Sequence, residues 1–236
     1  MAETDHRIPV DDGESVAAVH HEAPGNDWLI FCHGFLSDKS GSYERRCRRA
    51  VKRGYNAVRF DFRGCGESDG AFVEQTLSSK LADLAAVVDR FDPPSYALFG
   101  SSFGGKVAFH AAVRDDRVEA VVTRAPVTYN RVFDEYRTAV DRDGECRFET
   151  GDSIDRRFFE DFAQYGFDTV EPTLDVPVAI FHGSQDDSVD VAHSFEAAAQ
   201  LETDVLLETF ATEGHLFSSE AEERLLERTF HWLETQ

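Results

Sequence analysis

Gly100-Ser101-Ser102-Phe103-Gly104 follows directly on the apolar run Tyr96-Ala97-Leu98-Phe99 and directly precedes a helix-like stretch from Lys106 to Val113. A G-x-S-x-G sequence between a strand and a helix dictates a tight, strained turn. Its central serine takes a positive φ, and its hydroxyl is lifted above the end of the strand. Side chains two positions to either side would collide with it, which places glycine at 100 and 104. The helix that follows aims its free N–H groups and positive dipole end at the same spot, where a developing oxyanion needs donors. Ser102 is therefore a candidate nucleophile. Ser101 is its neighbour, but only Ser102 has glycine at both −2 and +2.

Around that turn the chain alternates between strand-like and helix-like segments. His6–Val10 and Ser15–His20, on either side of Asp11-Asp12-Gly13-Glu14, read as an initial hairpin. Trp28–Cys32 is a wholly apolar strand of the kind buried on both faces. A helix over Ser42 to about Lys52 and a strand over Tyr55–Phe60 come next. Leu81, Leu84, Val87 and Val88 give Leu77–Phe91 a helical spacing that Pro93-Pro94 ends. Val118–Val122, Val176–Phe181 and Val205–Phe210 read as further strands. Helices near Val191–Leu201 and Ser218–Leu233 complete the series. This alternation predicts an α/β fold over 1–236, a mainly parallel sheet with helices on both faces and right-handed crossovers. With 236 residues and 42% hydrophobic content, one large domain is expected.

Residues 126–171 break the alternation. They show no clear strands and are rich in charge and phenylalanine (Phe133, Phe148, Phe158, Phe159, Phe162, Phe167). A structureless loop of that length is improbable in a compact domain, so a small, mostly helical cap insertion over the sheet's mouth is predicted. Most of its phenylalanines are expected to pack the cap; the rest would wall an acyl pocket.

Charge restricts the partners. Forty-five acidic residues face 24 lysines and arginines, for a net charge of −21, and the lysines are only Lys39, Lys52, Lys80 and Lys106. Such a surface repels itself where the Debye length is about 8 Å and is largely screened at 1 M salt, where it is about 3 Å. The pattern resembles proteins of salt-accumulating microbes, and a halophilic, cytoplasmic protein is expected. Nucleic acid and anionic membrane are disfavoured as partners. No signal-like N-terminus and no apolar run of membrane-spanning length appear. Cys32, Cys47, Cys65 and Cys146 have no C-x-x-C spacing, and buried or idle thiols are expected. His20-His21 lies among carboxylates without ligand spacing, so no metal site and no cofactor are expected.

A serine hydroxyl needs a base, and the base needs an orienting acid. In α/β folds the chain order is serine, acid, histidine. Asp186 lies in His182-Gly183-Ser184-Gln185-Asp186-Asp187, just past one strand, and His215 in Glu213-Gly214-His215, just past the next. Both fall at the sheet edge where ligands bind in open α/β proteins. Asp187 stays open as the alternative acid. His33 and His182 end strands beside glycines, which suits hydrogen-bonded structural roles.

With these blocks the chain resembles the α/β-hydrolase superfamily over nearly its whole length. Phe31-Cys32-His33-Gly34-Phe35 looks like the family's strand-end H-G segment. Asp61-Phe62-Arg63-Gly64-Cys65-Gly66-Glu67-Ser68 looks like its D-x-R-G-x-G-x-S loop. Gly183–Asp186 and Gly214-His215 match the acid and histidine turns. Asp190 stands where relatives often carry proline. The short chain looks most like small cytosolic carboxylesterases, including feruloyl-esterase-like and serine-aminopeptidase-like branches. The resemblance implies that Ser102 attacks an acyl carbonyl, His215 moves the proton and Asp186 orients the imidazole. It also implies that the backbone N–H groups of Phe35 and Phe103 hold the oxyanion. The expected substrate is a small-molecule ester or acyl compound. Peptidase, thioesterase and acyltransferase chemistry remain open, as does oligomeric state. Two other readings compete. Gly100 to Lys106 also fits a phosphate-loop pattern, but Val107 stands where Ser or Thr should hold magnesium. A non-catalytic binding module on the same scaffold would normally lack one of the three residues.

Overall fold

The computed structural model describes residues 2–10 and 13–236. Strands β1 (Glu3–Pro9) and β2 (Ser15–His21) pair antiparallel, as the alternating pattern requires. Asp11 and Asp12, in the turn expected between them, lie outside the described residues. After β2 come β3 (Trp28–Cys32), α1 (Ser42–Lys52), β4 (Asn56–Phe60), α2 (Leu77–Phe91), β5 (Tyr96–Ser101), α3 (Phe103–Ala112) and β6 (Val118–Arg124). A long insertion leads to β9 (Val178–Gly183), α6 (Ala192–Gln200), β10 (Val205–Phe210) and α7 (Ser219–Leu233). The eight sheet strands run in the order β1-β2-β4-β3-β5-β6-β9-β10, and every neighbouring pair from β4 to β10 is parallel.

Local chemistry explains several boundaries. Thr76 and Ser79 form a reciprocal capping box at the start of α2. Ser218 caps α7 by accepting the Ala221 N–H at 3.2 Å, with Glu220 and Glu222 in the first turn favoured by the helix dipole. Helix α3 begins three residues earlier than its hydrophobic pattern suggests, because Gly104-Gly105 carries no apolar signal yet packs inside the helix. Strand β6 likewise runs past its apolar run to Arg124.

Successive side chains of the central strands point to opposite faces, so the sheet is sealed on both sides. Leu29 and Phe31 join α1 and α7 on one face, with Cys47, Ala50, Leu225 and Leu226. Ile30 and Cys32 join α2, α3 and α6 on the other, with Leu84, Val88, Val107 and Ala197. All ten residues of α3 are buried, since it is covered by the sheet on one side and the insertion on the other. The Asp61–Ser68 block is held by its own polar groups. Asp61 accepts from Lys39 Nζ at 2.7 Å and from the Glu67 N–H at 2.8 Å, and Ser68 Oγ donates to the Asp61 carbonyl at 2.6 Å. Arg63 Nε donates to the buried Asp83 at 2.6 Å.

The insertion contains α4 (Asp134–Asp143), β7 (Glu145–Arg147), β8 (Ser153–Asp155) and α5 (Arg156–Phe162), with short 3-10 turns at Asn130–Phe133 and Phe167–Thr169. Beside these helices the insertion also carries a short antiparallel β7–β8 ribbon, which its sequence did not announce. Three-residue strands are too short for a period of two to register in sequence. Phe133, Phe158, Phe159, Phe162 and Phe167 are buried in the main core, and Phe148 packs half-buried against it.

Candidate active site

The β5–α3 turn is strained as its sequence demands. Ser102 sits at φ 53° and ψ −119°. Its N–H donates to the Arg124 carbonyl at 2.9 Å, and its carbonyl accepts from Gly105 at 2.9 Å and Val127 at 3.0 Å. Those bonds hold the backbone in a conformation most residues avoid and leave the hydroxyl without a structural duty. Gly104 is required by contact: a Cβ there would overlap the Cys32 carbonyl, 2.6 Å from its carbon. Gly104→Ala is expected to destabilise the fold by about 2–4 kcal/mol, because backbone rather than a movable side chain blocks the methyl. Urea unfolding checks this; a loss under about 0.5 kcal/mol would show that β3 and α3 can part without penalty.

Asp186 and His215 meet across the loops that leave β9 and β10. His215 Nδ1 donates to Asp186 Oδ2 at 2.8 Å, and the Asp186 carboxylate has no solvent exposure. The loops approach so closely that a Cβ on Gly183 would lie 2.7 Å from the Glu213 carbonyl carbon. Asp186 Oδ1 accepts the backbone N–H groups of Ser188 and Val189, each at 2.9 Å. Burial alone would raise the carboxyl's pKa, but hydrogen bonds from His182, His215 and Val189 outweigh it and hold the pKa well below the usual carboxylate range. Asp187 is exposed and touches Ser188 instead. Asp190, where proline was expected, caps its turn by accepting the Ala192 N–H at 2.9 Å.

Ser102 and His215 line one cavity of about 350 Å³, together with Phe35, Phe133, Tyr136 and Arg124. Among the described residues the two are not hydrogen-bonded to each other; unliganded sites often close that bond only around substrate. The Phe103 N–H is the first of α3 and has no partner within the helix. The Phe35 ring packs on the Phe103 ring at 5.3 Å, which places both segments beside Ser102. His33 is buried and neutral: it accepts the Phe62 N–H at 3.1 Å, contacts the Gly34 carbonyl at 2.8 Å, and burial pushes its pKa down to about 3. Lys106 is buried under the Phe162 ring with its Nζ on the Thr128 carbonyl at 3.1 Å, so it is not presented to a nucleotide phosphate.

Three features were not legible as site residues. His182 has the hydrogen-bonded role its position suggests, but the bonds reach the acid: its Nε2–H is shared between Asp186 Oδ2 at 3.1 Å and the Val189 carbonyl at 2.9 Å, while Nδ1 accepts from the buried Ser194 Oγ at 2.7 Å. Arg124, at the end of β6, enters the cavity lining. Behind it, Arg46 of α1 and Glu222 of α7 form a buried pair at 2.7 and 3.1 Å, and Arg46 also donates to Ser101 Oγ at 2.9 Å. For Arg124, Arg46 and Glu222, a lone arginine closing an apolar strand is the only sequence signal left.

Fold and site together define a hydrolase scaffold. Residues 27–161 match the family described as the alpha/beta hydrolase fold, and the chain belongs to that family. The human mitochondrial palmitoyl-protein thioesterase ABHD10 is 28% identical over 199 residues, covering 78% of this chain but only 64% of that protein. Mouse alpha/beta hydrolase domain-containing protein 10 superposes with a TM-score of 0.87 at 22% identity, over 98% of each chain. Est1E from Butyrivibrio proteoclasticus, solved with ferulic acid bound, gives a TM-score of 0.88 at 21% identity, over 98% of each chain. At those identities the two structures speak to fold. Among the described residues no helix is long and apolar enough to cross a membrane.

Proposed function

We propose that the protein is a serine hydrolase that cleaves carboxylic esters through an acyl-enzyme, with Ser102 as nucleophile, His215 as base and Asp186 as the orienting acid. The observation that carries this reading is the 2.8 Å Asp186–His215 bond, buried at the acid end, with His215 facing the cavity that Ser102 lines. Asp186 fixes the Nδ1–H tautomer, which leaves Nε2 free to take the Ser102 proton and return it to the leaving group. The Phe35 and Phe103 amides are the oxyanion donors in this reading, each typically worth about 3–4 kcal/mol of barrier. Water then releases the acid.

Residues 126–171 act in this proposal as a cap, since Val127, Val132, Phe133 and Tyr136 reach the cavity. A volume of about 350 Å³ is at the small end for ligand pockets, which favours short or aromatic acyl groups. A thioester reading is supported by the relatives named as palmitoyl-protein thioesterases. Fluorophosphonate labelling with peptide mapping tests the assignment: the adduct is expected on Ser102, and an unlabelled protein that also hydrolyses neither 4-nitrophenyl acetate nor an acyl thioester would refute it. The same proposal places the protein in a salt-rich cytoplasm. Its thermal midpoint is expected to rise by several degrees between 0.1 and 2 M KCl, at about 2–4 °C per kcal/mol of relieved repulsion. A midpoint equal or higher in dilute buffer would contradict that placement.

A further inference from the structure

In a chain with a net charge of −21, the cavity beside Ser102 is lined by no aspartate or glutamate among the described residues. Among the described residues that line it, Arg124 alone is permanently charged, and its side chain is 10% exposed. Burial and the neighbouring Arg46 both work against the charge on Arg124, yet a guanidinium does not give up its proton inside a protein. Compensation is incomplete. Glu222 accepts from Arg124 Nη1 at 3.0 Å, but the same carboxylate is already engaged twice by Arg46. Two guanidiniums therefore share one carboxylate. Arg124 Nε is buried and has no hydrogen-bond partner among the described residues. An unpaired buried donor on an unneutralised cation is costly unless something completes it. The hydroxyl-bearing residues Ser42 and Tyr43 line the same cavity and add donors suited to an anion.

We propose that the ester taken by this site carries a carboxylate, and that Arg124 is the residue that selects it. The proposal rests on the serine-hydrolase reading above and names its substrate class. A carboxylate matches the planar fork of a guanidinium and accepts from hydroxyls at the same time. It also supplies the negative charge that Glu222 cannot give to both arginines. The acidic surface repels anions at long range, so selection of such a substrate must come from a local, buried contact, which Arg124 offers.

Two matched pairs of esters test this in 2 M KCl. One pair is 4-nitrophenyl hydrogen adipate and its methyl ester, with the charge on the acyl side. The other is 4-acetoxybenzoate and its methyl ester, with the charge on the leaving side. Wild-type protein is expected to prefer the anionic member of at least one pair by tenfold or more in kcat/KM, and the preferred pair tells which side Arg124 reads. Arg124→Gln is expected to cut that ratio at least tenfold. Arg124→Lys, which keeps the charge without the fork, should restore part of it. Arg46 retains both bonds to Glu222 in either variant, and a melting curve verifies the fold. Binding is measured separately by calorimetry in Ser102→Ala, where the anionic ester should bind tenfold more weakly once Arg124→Gln is added. Ratios near one in wild type, or ratios and affinities indifferent to Arg124, overturn the proposal. If esters are bound through Arg124 but never hydrolysed, the hydrolase reading fails and the carboxylate site stands. If esters are hydrolysed without regard to charge, the reverse holds.

Discussion

Ser102→Ala is expected to lower kcat/KM for 4-nitrophenyl acetate by a factor of about 10⁴ to 10⁶ and to abolish fluorophosphonate labelling. No neighbour can replace the lost hydroxyl. Ser101 is 1% exposed, and its Oγ is already engaged by Arg46 Nη1 at 2.9 Å. Among the described residues Ser102 Oγ has no such bond, and its residue is partly open to the cavity. The loss should come in kcat, since the cavity's binding surface is unchanged. Stability should not fall with activity, because the positive φ at 102 is a strain that alanine bears no worse than serine. A variant that keeps more than about a tenth of wild-type kcat/KM would place the nucleophile elsewhere.

The second large effect is expected at Asp186. Its two oxygens accept four N–H groups: Ser188 and Val189 on Oδ1, His182 and His215 on Oδ2. Asparagine keeps the shape but has one acceptor and one donor. If its oxygen serves the two backbone amides, its NH₂ opposes both imidazole N–H groups. His215 must then turn or change tautomer, and Nε2 can no longer take the serine proton. By analogy with the same substitution in other triads, Asp186→Asn should lower kcat by about 10⁴. Asp187→Asn should have little effect, because that side chain is exposed and, among the described residues, makes its hydrogen bond with Ser188 rather than His215. Stability gives an independent readout. The folded carboxyl is held below its unfolded value, so its contribution is fully present above about pH 4 and is lost as pH falls below that. Asp186→Asn should remove part of that acid-side loss, and an unchanged acid limb would show the hydrogen bonds to be weak.

His182 shows where sequence reading stops. Its place at a strand end beside Gly183 was visible, and a hydrogen-bonded role followed from that. Its sharing of Asp186 Oδ2 with His215 was not visible, because the bond depends on how the loop after β9 folds back. The insertion behaves in the same way. Its length and phenylalanine content announced a packed segment, yet the β7–β8 ribbon carries too few residues for periodicity to reveal. Arg124 is the sharpest case. It stands two residues beyond the apolar run Val118–Val122, where a charged residue reads as the end of a strand. Ladder bonds to β5 and β9 continue to Arg124 itself and deliver it to the cavity.

The linear chain determined the features that depend on near neighbours. These are the alternation of strands and helices, the strained turn at Ser102, and the order of Ser102, Asp186 and His215, each just past a strand. Such features follow from side-chain period and backbone sterics, which act over a few residues. The folded molecule alone decided which acid meets His215, that His182 leans on the same oxygen, and that Arg46, Arg124 and Glu222 converge from α1, β6 and α7. Those contacts join residues up to 176 positions apart, and their energies depend on burial and direction, which no local pattern encodes.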